Sequence, residues 1–255
     1  MEARIFTRTF SQTVDEHGGG FQKNLLLSAI PSDVLQLLSP DLKERTFNQG
    51  VVLQEAGEPI EHVYFPQNGM ISLLVVTLDG GAIEAATIGR EGSVGIHGGF
   101  RGRRAFTRAV APITSKCFYI QADRLHQAAA KSAALTDLIT RYTELLWTES
   151  QQISACNAKH SAEARLCRWL LQTRDRIESD TLPLTQEFLS EMLGLRRTTV
   201  TLVARALQES GIIKYRRGVI HIEDAEGLKK SACECYAVLE RSHLRERLGL
   251  KAHAS

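Results

Sequence analysis

Apolar and polar positions follow two different rhythms along this chain. Between Gly50 and Gly102, short β-branched or aromatic runs (Val51-Val52-Leu53, His62-Val63-Tyr64-Phe65, Ile71 to Leu78, Ile83 to Ile88) are punctuated by Gly-Glu-Pro at 57–59, Gln-Asn-Gly at 67–69 and Asp-Gly-Gly at 79–81. Together with Arg108 to Val110 these runs predict strands joined by tight turns. Eleven of the nineteen glycines fall in that interval, so hairpins recur closely and a sandwich or β-roll is expected. From Ile113 to Leu182, seventy residues then pass without Gly or Pro, and most of the stretch repeats at helical spacing.

Ile139, Tyr142, Leu146, Ile153 and Cys156, with Glu149 admitted to the row, predict one long helix over about residues 132–160 with an apolar stripe. Such a stripe needs cover. The chain's own roll is one candidate, but the length and the heptad-like seam favour a second copy, which makes these five residues a candidate dimer interface and the chain a homodimer. The predicted organisation is α+β: a polar N-terminal tail (1–24), a β-roll (25–121), a helical region with the dimerisation helix (122–160), a winged helix-turn-helix module (161–224) and a C-terminal extension (225–255). The joint near 159–162 is the candidate hinge.

The segment Thr185 to Arg205, TQEFLSEMLGLRRTTVTLVAR, fits two helices crossing at a tight turn. Leu189, Leu193, Leu195, Val200 and Val203 supply a shared core, Ser190 is small where the helices approach, and Gly194 suits a left-handed turn residue. At 100° per residue, Val200, Val203 and Leu207 face one way, while Thr198, Thr201, Leu202 and Arg205 face the other. That outward face has the chemistry to read base edges: hydroxyls, a guanidinium for guanine, and an apolar tip for a thymine methyl. Gly211 to Ile222 then reads as a two-strand wing with a basic tip. The candidate DNA contacts are Thr185, Gln186, Arg196, Arg197, Thr198, Thr199, Thr201, Leu202, Arg205, Lys214, Arg216 and Arg217.

Charge sharpens this picture. The whole chain carries only +2, yet residues 196–217 hold six basic side chains against Glu209 alone, so the positive footprint is local. No apolar run reaches bilayer length, Met70 to Leu78 being the longest, and the first residues lack a signal-peptide core, which points to the cytoplasm and to no membrane partner. Five cysteines without a Cys-x-x-Cys spacing argue against a disulfide framework and for a reducing compartment. Cys233 and Cys235, placed on one C-terminal helix about 200° apart, are read as ordinary thiols unable to share a metal.

In order and length of segments, residues 25–224 resemble the family of bacterial regulators typified by the cyclic-AMP receptor protein and the fumarate and nitrate reduction regulator (Crp/Fnr). The resemblance implies a cyclic-nucleotide-binding-like jelly roll, a dimerisation helix and a winged helix-turn-helix; dimer symmetry calls for a roughly palindromic double-stranded DNA site, and a contact with RNA polymerase is one alternative role for the roll. It also places Arg197, Thr198 and Leu202 where the cyclic-AMP receptor protein carries Arg, Glu and Arg, so a different half-site is expected.

The phosphate cassette of that family matches Gly92-Ser93-Val94-Gly95-Ile96, with Arg103-Arg104 as the nearest counterpart of its Arg-Ser pair. Ser93 replaces the ribose-binding Glu. Gly92, Ser93, Val94, Arg103 and Arg104 thus form a candidate effector site that argues against cyclic AMP and leaves any effector unidentified. An iron-sulfur cluster would need cysteines near the N-terminus, and residues 1–116 have none. Lone histidines His62 and His97 give no specific haem signal, and no cofactor or metal is assigned. A cupin-like metal enzyme would draw on His62, His97, Glu61, Glu84 and Glu91, but no His-x-His pair appears, nor any Ser-His-Asp, Walker or dinucleotide pattern. The chain is therefore read as a non-enzymatic DNA-binding regulator, with a roll that either gates it through an effector or serves only as a scaffold.

Overall fold

The computed structural model describes residues 20–97 and 104–240. The chain forms two compact units, one of residues up to 73 plus 87–143, the other of 74–86 plus 144 onward. The first opens with two short helices, α1 (Leu25–Ser28) and α2 (Ser32–Leu38). Asn24, placed by sequence in the polar tail, is instead fully buried. Its side chain accepts from Leu27 N–H at 2.8 Å, capping α1, and donates to the carbonyls of Pro66 and Gly92, both at 2.8 Å. The folded region therefore begins before residue 25, and Phe21 packs on the Phe118 ring at 5.1 Å.

The roll has seven strands: β1 (Lys43–Phe47), β2 (Val52–Gln54), β3 (His62–Pro66), β4 (Ile71–Val76), β5 (Ala82–Ile88), β6 (Arg108–Val110) and β7 (Ser115–Gln121). One sheet runs β1-β7-β3 and the other β2-β6-β4-β5. In the first, antiparallel registers such as Arg45↔Cys117 and Phe65↔Phe118 bring distant segments together. Sequence periodicity anticipated β2 to β6 but not β1 or β7. In β7, Cys117, Phe118 and Ile120 are buried while Tyr119 is only half-buried, a run too apolar to be told from a helix by pattern alone.

Three helices follow: α3 (Ala122–Ala129), α4 (Ala133–Lys159) and α5 (Ala162–Ile177). The long helix matches its predicted span, and its break at His160-Ser161 matches the predicted joint. Ser161 caps α5 by accepting from Ala164 N–H at 3.2 Å. The seam residues, however, are covered by the chain itself. Ile139, Tyr142, Ile153 and Cys156 are buried, Leu146 is half-buried, and Glu149 reaches the buried Arg176 at 3.6 Å. The expected dimer stripe is thus an inward face, because periodicity shows that a face is covered without showing by what.

The second unit continues with β8 (Thr181–Leu182), α6 (Gln186–Leu193), α7 (Arg197–Glu209), β9 (Ile213–Arg216), β10 (Val219–Ile222), α8 (Ala225–Ser231) and α9 (Cys235–Val238). The strands form a sheet in the order β8-β10-β9. Residues 74–86, from the end of β4 into β5, also belong to this unit: Trp169 Nε1–H of α5 donates to the buried Glu84 carboxylate at 2.9 Å. The C-terminal extension is not the single helix expected. The backbone turns extended at Ala232, leaving Cys233 outside any helix and Cys235 at the start of α9. The angular separation that kept these two cysteines apart therefore does not apply. Leu228, Tyr236 and Leu239 of this extension are buried.

Candidate nucleic-acid interface

Thr185 accepts from Phe188 N–H at 3.2 Å and so caps α6, whose Leu189, Met192 and Leu193 are buried. Gly194 closes the helix at φ 58°, with Leu195 N–H donating to the Ser190 carbonyl at 2.9 Å. A side chain there would be both strained and obstructed, since a Cβ would lie 2.7 Å from Ile83 Cδ1. Arg165, buried in α5, donates to the Leu193 carbonyl and fixes the same turn from below.

On α7 the buried row is Val200, Ala204 and Leu207, at i, i+4 and i+7. Val203, expected in the core, is half-buried because Ala204 lies nearer the centre of that row. On the opposite side Thr198, Thr201, Leu202 and Arg205 are exposed, with Leu202 at 69 %, as are Arg196 and Arg197 at the N-terminal end of the helix, and Thr199 is half-buried. The Thr201 hydroxyl lies 2.8 Å from Gln186 Oε1 and 2.9 Å from the Arg197 carbonyl. Arg205 donates to Glu209 at 2.8 Å, and that hydrogen bond and charge raise the guanidinium above its ordinary value. In open solvent such a pair exchanges readily for a phosphate.

The β9–β10 turn consists of Arg217 at φ 51° and Gly218 at φ 77°, a two-residue connection with both residues left-handed. It holds Arg217 at the tip, beside exposed Lys214 and Arg216. Tyr215 secures this wing: its N–H donates to Gln208 Oε1 at 2.9 Å and its hydroxyl to the Leu184 carbonyl at 3.0 Å. Sequence reading did not single out Tyr215. The signal was a lone aromatic inside a basic strand, which says little before the strand's neighbours are known.

The candidate effector residues are not gathered in this way. Gly92, Ser93 and Val94 are all buried, beneath the phenol of Tyr142 on α4. The Tyr142 hydroxyl accepts from Ser93 N–H at 2.8 Å and donates to the Ser93 carbonyl at 2.9 Å, while a Cβ on Gly92 would stand 2.2 Å from the phenol oxygen. The Ser93 hydroxyl is buried with no hydrogen-bond partner among the described residues. Val94 exchanges backbone hydrogen bonds with Tyr64 at 2.9 Å. Arg104 is exposed and donates to the Gly57 carbonyl at 2.8 Å, and Arg103 lies outside the described residues. A cleft on the roll is lined instead by Arg45, Phe47, Gln54, Glu58, His62 and Tyr64. Burial pushes the Tyr64 phenol up to about 12. No helix among the described residues is long and apolar enough to cross a membrane.

Comparison with known proteins agrees with this layout. The sequence matches the cyclic nucleotide-binding domain over residues 44–132 and the Crp-like helix-turn-helix domain over residues 164–231. A nucleotide-binding-type roll followed by this helix-turn-helix defines a DNA-binding regulator of transcription. The chain belongs to the Crp/Fnr family of such regulators. Among solved structures, FixK2 of Bradyrhizobium japonicum is 18 % identical with a TM-score of 0.64, the match covering 75 % of this chain and 98 % of that one. A CRP-family transcriptional regulator of Thermus thermophilus is 17 % identical with a TM-score of 0.62, covering 74 % and 96 %. The c-di-GMP responsive global regulator CLP of Xanthomonas campestris is 16 % identical with a TM-score of 0.61, covering 75 % and 99 %. These likenesses show a shared fold. No curated relative matches the chain.

Proposed function

We propose that the protein regulates transcription as a homodimer on a roughly two-fold symmetric DNA site, each copy placing α7 in the major groove and its wing along the backbone. The observation that carries this reading is the row Arg197, Thr198, Thr201, Leu202 and Arg205, presented to solvent on a helix whose opposite face is packed. Arg197 is the candidate guanine reader, Leu202 and the threonines set the neighbouring positions, and Arg196, Lys214, Arg216 and Arg217 meet phosphates. Thr185 and Gln186 act at the α6 N-terminus, where backbone N–H groups favour a phosphate.

The second copy meets α4 on its outward face, through Thr140, Trp147, Gln151 and Ser154, which are exposed at 3-4 spacing with Trp147 at 67 %. This replaces the inward row as the dimer surface. Trp147→Glu should weaken the dimer roughly tenfold or more, read by sedimentation.

The roll does not take cyclic AMP through its cassette. The burial of Ser93 under Tyr142 favours this, as does the missing carboxylate. A non-cognate effector at the roll is the second reading. It is supported by a relative of the same fold that is described as responsive to cyclic di-GMP.

The experiment is an anisotropy titration of the full chain against its own upstream DNA, alone and with cyclic AMP, cyclic GMP or cyclic di-GMP, over a range of salt. Specific binding without ligand, with a salt slope of about −0.9 per phosphate contacted, is the expected result. Binding that appears only on adding cyclic AMP would overturn the reading of the cassette.

A further inference from the structure

Four side chains that take no part in reading DNA meet where the end of α4 faces the C-terminal extension. Cys156 lies on the inward row of α4 and His160 one turn on, with His160 N–H donating to the Cys156 carbonyl at 3.0 Å. That i, i+4 spacing puts both on one face. Cys233, in the extended link after α8, and Cys235, opening α9, converge from the other side. The Cys156 and Cys233 sulfurs are 3.5 Å apart, and Cys235 Sγ is 3.6 Å from His160 Nδ1. One ligand atom from each of the four lies within 4.8 Å of the other three.

We propose that Cys156, His160, Cys233 and Cys235 form a structural site for a thiophilic divalent cation of the zinc type. A tetrahedron with metal–sulfur bonds of about 2.3 Å has edges of about 3.8 Å, close to the separations above, so small side-chain rotations would complete it. A disulfide would use only two of the four sulfur and nitrogen ligands and leave the imidazole without a role. The imidazole is oriented for metal: Nδ1 faces the sulfurs while Nε2 lies 3.1 Å from the Glu234 carboxylate, an outer partner that fixes the tautomer. Gln152 Nε2–H donates to Cys235 Sγ at 3.0 Å, a contact suited to a thiolate.

Charge points the same way. Three thiolates, a neutral imidazole and a divalent ion sum to one negative charge. Arg165 and Arg168 are buried nearby, neither forms an ion pair with a carboxylate among the described residues, and the Nε of each has no hydrogen-bond partner. An anionic centre beside them supplies the missing counter-charge. On binding, each thiol releases its proton to solvent and no electron moves, so no oxidant is required. The ion would clamp the start of α9 to the end of α4.

The test is metal analysis of the full-length protein purified under reducing conditions without added chelator, followed by Co²⁺ titration of the metal-stripped chain. Expected are about one zinc per chain and, with Co²⁺, the intense thiolate charge-transfer and tetrahedral ligand-field absorption of a sulfur-rich site. Both should be lost in Cys156→Ser/Cys235→Ser and kept in Cys117→Ala, whose thiol lies in β7. A folded wild-type chain that holds no ion and gives no such Co²⁺ spectrum would sink the proposal, whatever the variants do. So would a Cys156–Cys233 disulfide in the protein as purified under reducing conditions, or an ion retained by the double variant.

Discussion

The outward face of α7 and the Gly92–Val94 turn of the roll carry similar chemistry, small hydroxyls with arginines close by in sequence. Their surroundings differ completely. On α7, Ala204 and Leu207 take the inward positions, so Thr198, Thr201 and Arg197 are left in solvent on a rigid helix. At the cassette the Tyr142 phenol satisfies both backbone groups of Ser93 and occupies the space that Gly92 leaves open. One set of groups keeps its hydrogen-bonding capacity for a partner, and the other is enclosed by the protein. Residue type alone does not make a site; the covering element decides.

The sharpest test of this contrast is Tyr142→Ala. Removing a buried ring and its two hydrogen bonds should lower stability by roughly 3–5 kcal/mol, read by urea unfolding, with cyclic AMP still unbound because Ser93 offers no carboxylate. Tight cyclic AMP binding by that variant would break the contrast, showing the phenol to be the sole barrier. Next in size, Arg197→Ala should cost about 1–3 kcal/mol of specific DNA affinity while changing non-specific binding much less. Competition titrations with scrambled DNA separate the two, and an equal loss on both would reduce Arg197 to a phosphate contact. Tyr142→Phe keeps the packing and removes only the hydroxyl, for an expected loss of about 1–2 kcal/mol by the same unfolding measurement. The smallest effect is expected for Arg217→Gly: a gain in stability of up to about 1 kcal/mol from relief of the left-handed backbone, and a salt slope shallower by about one per chain. An unchanged slope would remove the wing tip from the DNA contacts.

The helix-turn-helix and wing were largely legible in sequence because their determinants are local. The 3.6-residue period, Gly194 at the turn and the Arg217-Gly218 connection all act within a few residues of one another. The roll was legible only as a series of strands. Pairings such as Arg45↔Cys117 join segments that no short window contains, and β7 adds an apolar run whose pattern does not separate strand from helix. The seam of α4 was correctly seen as covered but assigned to the wrong partner, since a stripe of Ile139, Tyr142 and Ile153 looks the same facing a second copy or the chain's own core. At the C-terminus, no Gly or Pro marks the break at Ala232-Cys233, so helical spacing was carried across it and the approach of Cys233 to Cys156 was hidden. Asn24 reads as tail for a similar reason: a polar residue at a cap cannot be told from a solvated one until its acceptors, Pro66 and Gly92, are in place.

The hydrogen bond from Trp169 to Glu84 bears on how the protein can be taken apart. Residues 74–86 of the β4–β5 hairpin group with the second unit, and Ile83 and Glu84 of β5 find partners in residues beyond 160. An isolated roll ending anywhere between residues 121 and 161 would keep Ile83 and Glu84 but lack Gly194 and Trp169. The Glu84 carboxylate, buried in the full chain, and the half-buried Ile83 would then be more open to solvent. The reciprocal fragment would carry a Trp169 indole N–H without its acceptor. Cutting the chain at the joint near 159–162 therefore removes the Trp169–Glu84 hydrogen bond from both pieces.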